Sequence, residues 1–405
     1  MRRLTKIIAA SAALISLCGC SPENDLAEDS FDGSYNMISE GTSVHIVEEE
    51  PEQEMAVYVP KGMVTPYASA RLDKDQLESY NELVESIGNC QDSIPMMHDA
   101  TIYNVFLNIA SIEQLSFGHV ADRKSGDYDL ETGRFSIDFT YRLTPQEMSN
   151  MNRAAEAVAD SIVSELPDNA TTYDKLKYFH DYLVINCTSS TDYEYANTVY
   201  GALVKGQALC EGYAKAFSYL CNKAGIENMI VTGYTNEAHM WNMVKVNGNW
   251  YHVDVTWDKP SGMLAEMYPD MVMYQYFMVT DSVIENDHSI WSVSYAPPKA
   301  LSTNENYFVK EGLYIDSKDD IDTVMNNAFD KAVSQQKNIA MVKFDTNNLM
   351  RSVTKEMAAV SENGAAYLTY IIDAASDKYG VKLIVSWTDF YSGYRTIVFV
   401  IEYGK

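Results

Sequence analysis

His239-Met240-Trp241-Asn242-Met243-Val244-Lys245-Val246 runs into Asn247-Gly248 and on through Asn249-Trp250-Tyr251-His252-Val253-Asp254-Val255. Asn-Gly between two such runs is the strongest short hairpin signal and implies a two-residue type I′ turn. The turn sets the register. Val246 faces Asn249, and counting back from there puts Trp241 opposite Asp254 and His239 opposite Thr256. His239 and Asp254 then share one face as diagonal neighbours, roughly 7–8 Å apart at the backbone and within side-chain reach. A one-residue slip would put them on opposite faces.

A histidine oriented by a carboxylate acquires chemistry beside a nucleophile, and the sequence upstream offers one. Gly206-Gln207-Ala208-Leu209 reads as a turn, and Cys210-Glu211-Gly212-Tyr213-Ala214-Lys215-Ala216-Phe217 as a helix beginning at the cysteine. Ala214, Phe217, Leu220, Cys221 and Ala224 recur at helical spacing, and Gly225 ends the helix. A thiol at a helix start meets the positive end of the dipole and outward N–H groups, which lowers its pKa and favours the thiolate. Cys221 falls on the expected core face. About 11 residues of helix, roughly 16 Å, separate it from Cys210, beyond the ~7 Å that a disulfide spans. It is expected to be a small buried hydrophobe.

Cys210-Glu211-Gly212-Tyr213-Ala214, His239-Met240-Trp241-Asn242 and Trp250-Tyr251-His252-Val253-Asp254-Val255-Thr256-Trp257-Asp258 together resemble the transglutaminase-like superfamily. The helix Asp174–Asn186, with His180-Asp181-Tyr182, is similar to the lead-in helix of bacterial members. The resemblance covers residues 145–260 and leaves out the terminal regions. It implies an α+β, papain-like core with the nucleophile's helix packed on an antiparallel sheet. It also implies roles: Cys210 as nucleophile, His239 as general base and acid, and Asp254 as the orienter of the imidazole.

Each residue alone has a plainer reading. A lone cysteine at a helix start is more often structural, a lone histidine packed or exposed, and a lone aspartate a turn residue. Order and spacing together are hard to explain that way. His252 shares the Asp254 face but stands only two positions from it on one strand, and the family pattern gives the role to His239. His180 reads as a packed or hydrogen-bonded structural residue. The Cys210 backbone N–H is one candidate oxyanion donor. Gln207 is another, at a spacing that no physical argument supports. Trp241 and Trp257 are candidates for the cleft walls, with packing the plainer role for both. No calcium loop, CxxC pair or His/Cys cluster at zinc spacing occurs, so no metal or cofactor is expected.

Outward from this core, residues 144–300 form the expected transglutaminase-like domain. Thr144-Pro145-Gln146-Glu147 is a helix start with Thr as N-cap, Pro in the first position and Glu closing a capping box. That helix ends before Pro167. A second begins near Thr172, with Leu176, Phe179 and Leu183 on one face. Residues 56–143 read as an N-terminal α+β region, with Leu77, Tyr80, Val84 and Ile87 at helical spacing. There Phe135, Ile137, Phe139, Tyr141 and Leu143 alternate as a half-buried strand after a Glu131-Thr132-Gly133 hairpin turn. Residues 301–405 read as a small C-terminal α+β domain. Ser317 is expected to cap a helix striped by Ile321, Val324, Met325, Ala328, Phe329, Ala332 and Val333. Strands are expected at Ile339–Phe344, Ala366–Ile372, Val381–Trp387 and Thr396–Tyr403. The acidic run from Asp316 to Asp322 lacks the EF-hand pattern and reads as favourable charge at a helix N-terminus.

Residues 1–20 read as a signal peptide: Arg2, Arg3 and Lys6, an apolar run from Ile7 to Leu17, then Leu17-Cys18-Gly19-Cys20. The last four resemble a bacterial lipobox, with Cys18 an unusual occupant, and imply acylation at Cys20. Two or more acyl chains anchor stably where one is marginal. The expectation is an exported protein, lipid-anchored at the outer face of the bacterial cell membrane or in the outer membrane. Residues 21–55 read as an acidic, disordered tether. A net charge of -27 argues against nucleic acid and anionic lipid as partners, so the membrane is met only through the lipid. Cys20, Cys90, Cys187, Cys210 and Cys221 are too sparse for a disulfide framework.

The expected function is an extracytoplasmic cysteine enzyme acting on peptide or protein amide bonds through a thioester, with cell-wall peptides among the candidate substrates. Water resolving the thioester gives a peptidase or amidase, and an amine gives a transamidase. The alternative is a non-catalytic surface binding or assembly protein with an idle triad.

Overall fold

The computed structural model describes residues 56–96, 100–118, 120–124, 128–129, 134–191, 194–291, 296–358, 367–390 and 394–404. The leader with Cys18 and Cys20, the tether and the Glu131-Thr132-Gly133 turn lie outside them. The fold is α+β.

Helices α1 (Lys74–Gly88) and α2 (Ala100–Glu113) accompany strands β1 (Ser93–Met96), β2 (Val120–Lys124), β3 (Tyr128–Asp129) and β4 (Arg134–Tyr141). β4 pairs antiparallel with each of the other three. Tyr80, Leu83 and Ile87 of α1 join Ile137 and Phe139 of β4 in one apolar cluster. Leu77, expected on that face, is exposed, so the buried stripe starts at Tyr80.

Capping boxes at Thr144/Glu147 and Thr171/Asp174 start α3 (Pro145–Ser164) and α4 (Thr172–Asn186). A short parallel ladder of β5 (Thr188–Ser189) and β6 (Gln207–Ala208) follows, enclosing one turn of π-helix at Gly201–Lys205. Then comes α5 (Cys210–Lys223). Its apolar spacing suggests one buried face. Instead every residue from Gly212 to Cys221 is buried, Lys215 and Ser218 included. α3 and α4 pack on α5, and so does a sheet.

That sheet holds β7 (Asn228–Tyr234), β8 (Ala238–Val246) and β9 (Asn249–Val253). After α6 (Met263–Met267) come β10 (Phe277–Val279), α7 (Asp281–Ile284) and β11 (Ser289–Ile290). The spatial order is β10-β9-β8-β7-β11, antiparallel throughout. Asn247 (φ 51) and Gly248 (φ 82) make the two-residue turn, and Val246 pairs with Asn249. The β8–β9 ladder stops at Asn242 and Val253. Asp254 leaves it to donate its N–H to the Tyr276 carbonyl at 3.1 Å, so the expected Trp241–Asp254 and His239–Thr256 backbone pairs do not form. Asn242 joins β8 to α5. Its Nδ2 donates to the Ala214 carbonyl and to Ser218 Oγ, both at 2.9 Å and buried.

The remaining elements are α8 (Tyr307–Lys310), β12 (Tyr314–Ile315), α9 (Ile321–Ser334), β13 (Ile339–Phe344), α10 (Asn347–Ala358), α11 (Tyr367–Tyr379), β14 (Lys382–Phe390) and β15 (Thr396–Gly404). They form a sheet of order β12-β13-β15-β14, and the expected stripe of α9 is buried. Ser317 makes no backbone cap. Its hydroxyl donates to Asp320 Oδ2 at 2.6 Å, ahead of a 3-10 turn that precedes α9. The strand expected at Ala366–Ile372 is corrected: from Tyr367 the chain is helical. Ile371 and Ala375 are buried one turn apart, and packing of that stripe overrides the β-favouring Tyr, Thr and Ile. Apolar packing runs unbroken from the core around α5 into this C-terminal sheet.

Asn242→Ala removes both cross-links between α5 and β8 and should lower the unfolding free energy by about 1–3 kcal/mol, read from the urea midpoint. Lys245→Ala, on the partly exposed rim of the same strand, should stay within about 0.5 kcal/mol of wild type.

Candidate active site

Cys210 opens α5 and is partly exposed. The preceding Leu209 is extended (φ -86, ψ 174), and its carbonyl accepts the Tyr213 N–H at 3.0 Å. Glu211 and Lys215 form an ion pair of 2.6 Å one turn apart, which meets the charge of the buried lysine. Gly212 is required by close approach: a Cβ there would stand 2.1 Å from the Ala196 carbonyl oxygen. That same carbonyl accepts the Leu209 N–H at 2.9 Å. Arg142 holds this loop in turn, donating to the Glu194 carbonyl at 3.1 Å and to Asn197 Oδ1 at 3.0 Å.

His239 lies near the start of β8, beside Cys210, with its Nε2 2.7 Å from Asp254 Oδ2. Burial works against charging the ring. The Asp254 carboxylate and Cys210 outweigh it, and the His239 pKa is pushed up to about 10. Asp254 Oδ1 accepts the backbone N–H groups of Thr256 at 2.9 Å and Trp257 at 3.2 Å. Burial disfavours the Asp254 carboxylate, yet His239 and His288 hold it well below the usual carboxylate range. The structure thus brings Cys210, His239 and Asp254 together although Asp254 has left the ladder.

The other sequence candidates fall elsewhere. Trp241 is only 1% exposed, so it backs His239 and offers no face to a cleft; the two rings stack with centroids 6.0 Å apart. Gly233 makes room for it, since a Cβ there would meet the Trp241 ring at 2.7 Å. Trp257 is half-buried on another side of His239, at 6.0 Å. Gln207 is exposed in β6. His252 serves Trp241: its Nδ1 accepts the indole N–H at 3.0 Å, and its Nε2 faces Asp281 Oδ1 at 3.1 Å. An indole only donates, so Nδ1 carries no proton, and burial with this arrangement holds His252 neutral. His180 is buried between Asp258 (3.0 Å) and Asp181 (3.1 Å), a hydrogen-bonded structural role.

His288 is the residue that sequence reasoning missed. Its Nε2 lies 3.0 Å from the same Asp254 Oδ2 that meets His239. It belongs to no motif and lies outside the resemblance. The signal open to a reader was only the pair Asp287-His288 within a short segment after β10. His239, Asp254 and His288 offer ligand atoms within 4.8 Å of one another, the kind of trio that can hold a metal ion. Two of those separations are hydrogen-bond distances, and an ion would have to displace the protons that close them.

Residues 156–255 match the transglutaminase-like superfamily. This segment is a transglutaminase-like domain. The chain is also similar to the human kyphoscoliosis peptidase, at 30% identity over 24% of this chain and 17% of that protein. The chain therefore spans less than a fifth of the length of that relative. Among solved structures, a TGase is similar at 14% identity and a TM-score of 0.26, over 42% of this chain and 52% of the other. A candidate cysteine protease from Cytophaga hutchinsonii is similar at 14% identity and a TM-score of 0.24, over 45% of this chain and 83% of the other.

The rate of Cys210 alkylation by iodoacetamide should change form near pH 10, where His239 loses its proton. Asp254→Asn removes the charge that favours the imidazolium, and should bring this inflection down by about one unit or more. An inflection unmoved in that variant would mean that Asp254 does not hold the charge on His239.

Proposed function

We propose that this chain is a cysteine enzyme acting on amide carbonyls of peptides or proteins through a thioester, with Cys210 as nucleophile, His239 as general acid and base, and Asp254 as orienter. The observation that carries this reading is the juxtaposition of Cys210, at the head of a buried helix, with His239, whose Nε2 is hydrogen-bonded to buried Asp254. In this reading the thiol gives its proton to His239, whose imidazole is held readily protonated. The sulfur attacks the carbonyl as thiolate, and the backbone N–H groups at the start of α5 face the oxyanion that develops. His239 gives its proton to the leaving amine as the C–N bond breaks, leaving a thioester on Cys210. A water then attacks that thioester, His239 takes its proton, and the acid leaves with the thiolate restored.

Hydrolysis is the favoured outcome over transfer to an amine, because the similar human protein is named as a peptidase. The enzyme works outside the cell, held by lipid at Cys20. The order of charged leader, apolar run and lipobox-like cysteine supports that location.

Incubating the purified protein with a peptide library and a labelled amine tests the chemistry. Shortened peptides without label are expected from wild type and none from Cys210→Ala, while Cys221→Ala should cleave within about threefold of wild type. Labelled conjugates would make it a transamidase. Equal alkylation of Cys210 and Cys221 at neutral pH, with no turnover, would sink the enzyme reading in favour of a binding module. For the anchor, fractionated cells should carry wild type in the membrane and release Cys20→Ser.

A further inference from the structure

His288 precedes β11 and meets the same Asp254 oxygen as His239. Its side chain has no exposed surface. Nε2 stands 3.0 Å from Asp254 Oδ2, and Nδ1 stands 2.5 Å from Asp287 Oδ1. Ionised carboxylate oxygens only accept hydrogen bonds, so both ring nitrogens carry protons and the ring is an imidazolium. Asp287 is engaged in turn by the Tyr276 hydroxyl, which donates to its other oxygen. Aromatic rings close the remaining sides. Trp257 lies at 4.5 Å, Trp241 at 5.1 Å and Tyr276 at 5.2 Å between ring centroids. Charges therefore alternate along the line from the proposed nucleophile: imidazolium at His239, carboxylate at Asp254, imidazolium at His288, carboxylate at Asp287.

We propose that His288 is a positioning residue of the active site, fixing the Asp254 carboxylate toward His239 while its positive charge limits how strongly His239 holds a proton. The proposal rests on the reading of Cys210, His239 and Asp254 given above. Two effects of opposite sign follow. The hydrogen bond ties Oδ2, the oxygen that meets His239, in place. The charge acts against a second cation, because the His239 and His288 rings lie only 5.5 Å apart. Other charged or titratable neighbours do not replace it. His252 is neutral and turned to Asp281, and Lys343 of β13 is buried, donates to Gln275 Oε1, and has its pKa pushed down to about 7.

The two effects separate by substitution. His288→Gln keeps a donor near the position of Nε2 and removes the charge; His288→Leu removes both. Two measurements serve: the His239 titration by nitrogen-detected NMR, and the rate of Cys210 alkylation at pH 7. In His288→Gln, His239 should stay protonated about one unit or more higher than in wild type, the effect expected for one charge at this distance, and alkylation should stay within about threefold. In His288→Leu, with folding checked by thermal melting, alkylation should fall about tenfold or more. If His288→Leu does not fold, the titration in His288→Gln decides alone. A His239 titration that is unchanged or lower in His288→Gln overturns the proposal, and so does wild-type alkylation in folded His288→Leu. Stoichiometric zinc binding by wild type that His288→Gln abolishes would also overturn it, by making the trio a metal site. Slow alkylation of wild-type Cys210 would instead count against the proposed nucleophile, and the titration would still report on His288.

Discussion

A carboxylate removed from water must have its charge met inside the protein, and Asp254, 1% exposed, meets that demand in full. Two of its donors are backbone N–H groups of its own turn, and two are histidines brought from separate elements. This constraint shapes the local chain. β9 stops at Val253 because Asp254 must turn out of the ladder to cap the N–H groups of Thr256 and Trp257. The Asp258 N–H returns to the Asp254 carbonyl at 3.3 Å and closes that turn. The hairpin delivers His239, and the segment before β11 delivers His288, to the same oxygen, Oδ2. No single element of the sheet could have supplied all four donors.

The same solution is used again one turn on. Asp258, wholly buried, accepts the Tyr276 N–H at 2.9 Å on one oxygen and faces His180 at 3.0 Å on the other. Burial pushes its carboxyl up, and His180 offsets part of that. His180 passes to Asp181, and Asp181 accepts from Lys177 and, at 2.8 Å, from the Tyr274 hydroxyl. From the C-terminal sheet, buried Lys343 donates to Gln275 Oε1 at 2.9 Å, and Thr396 donates to that oxygen as well. Burial and the Arg395 charge bring the Lys343 pKa down to about 7. The rear of the site is therefore a connected polar network inside a continuous apolar core. Such a network is costly to break at one member, because the partner left behind stays buried and unmet.

What was legible in the sequence follows from which of these features are local. Asn247-Gly248 fixed the hairpin because its backbone conformation is set by two adjacent residues. The capping box at Thr144 was legible for the same reason. The neighbourhood of Cys210, His239 and Asp254 was legible from the helix start and the motif, whereas the hairpin register carries only to Val253 and does not itself place Asp254. His288 was not: it is 34 residues from Asp254, and only the folded chain brings the two together. The full burial of α5 was not legible from its apolar spacing, which marks one face and leaves out Lys215 and Ser218. Glu211 and Asn242 satisfy them internally, and that compensation is visible only in three dimensions. In the C-terminal sheet, Ala366–Ile372 misled because β-favouring residues say little when a stripe can pack as a helix.

The placement of Cys210 follows from the same burial. A surface helix frays at its first turn, where N–H groups lack intrahelical partners. α5 cannot fray in that way. Gly212 lets the Ala196 carbonyl seat against the first turn, Leu209 is tied to that carbonyl, and Asn242 bonds the helix to β8 only three positions from His239. The separation between sulfur and imidazole is thereby set by core packing and not by a loop. A residue that must be reached by a substrate is held by neighbours that no substrate touches. Local loosening at Ala196 or Asn242 would reach the thiol before it reached the global fold, since these contacts bear first on the head of the helix.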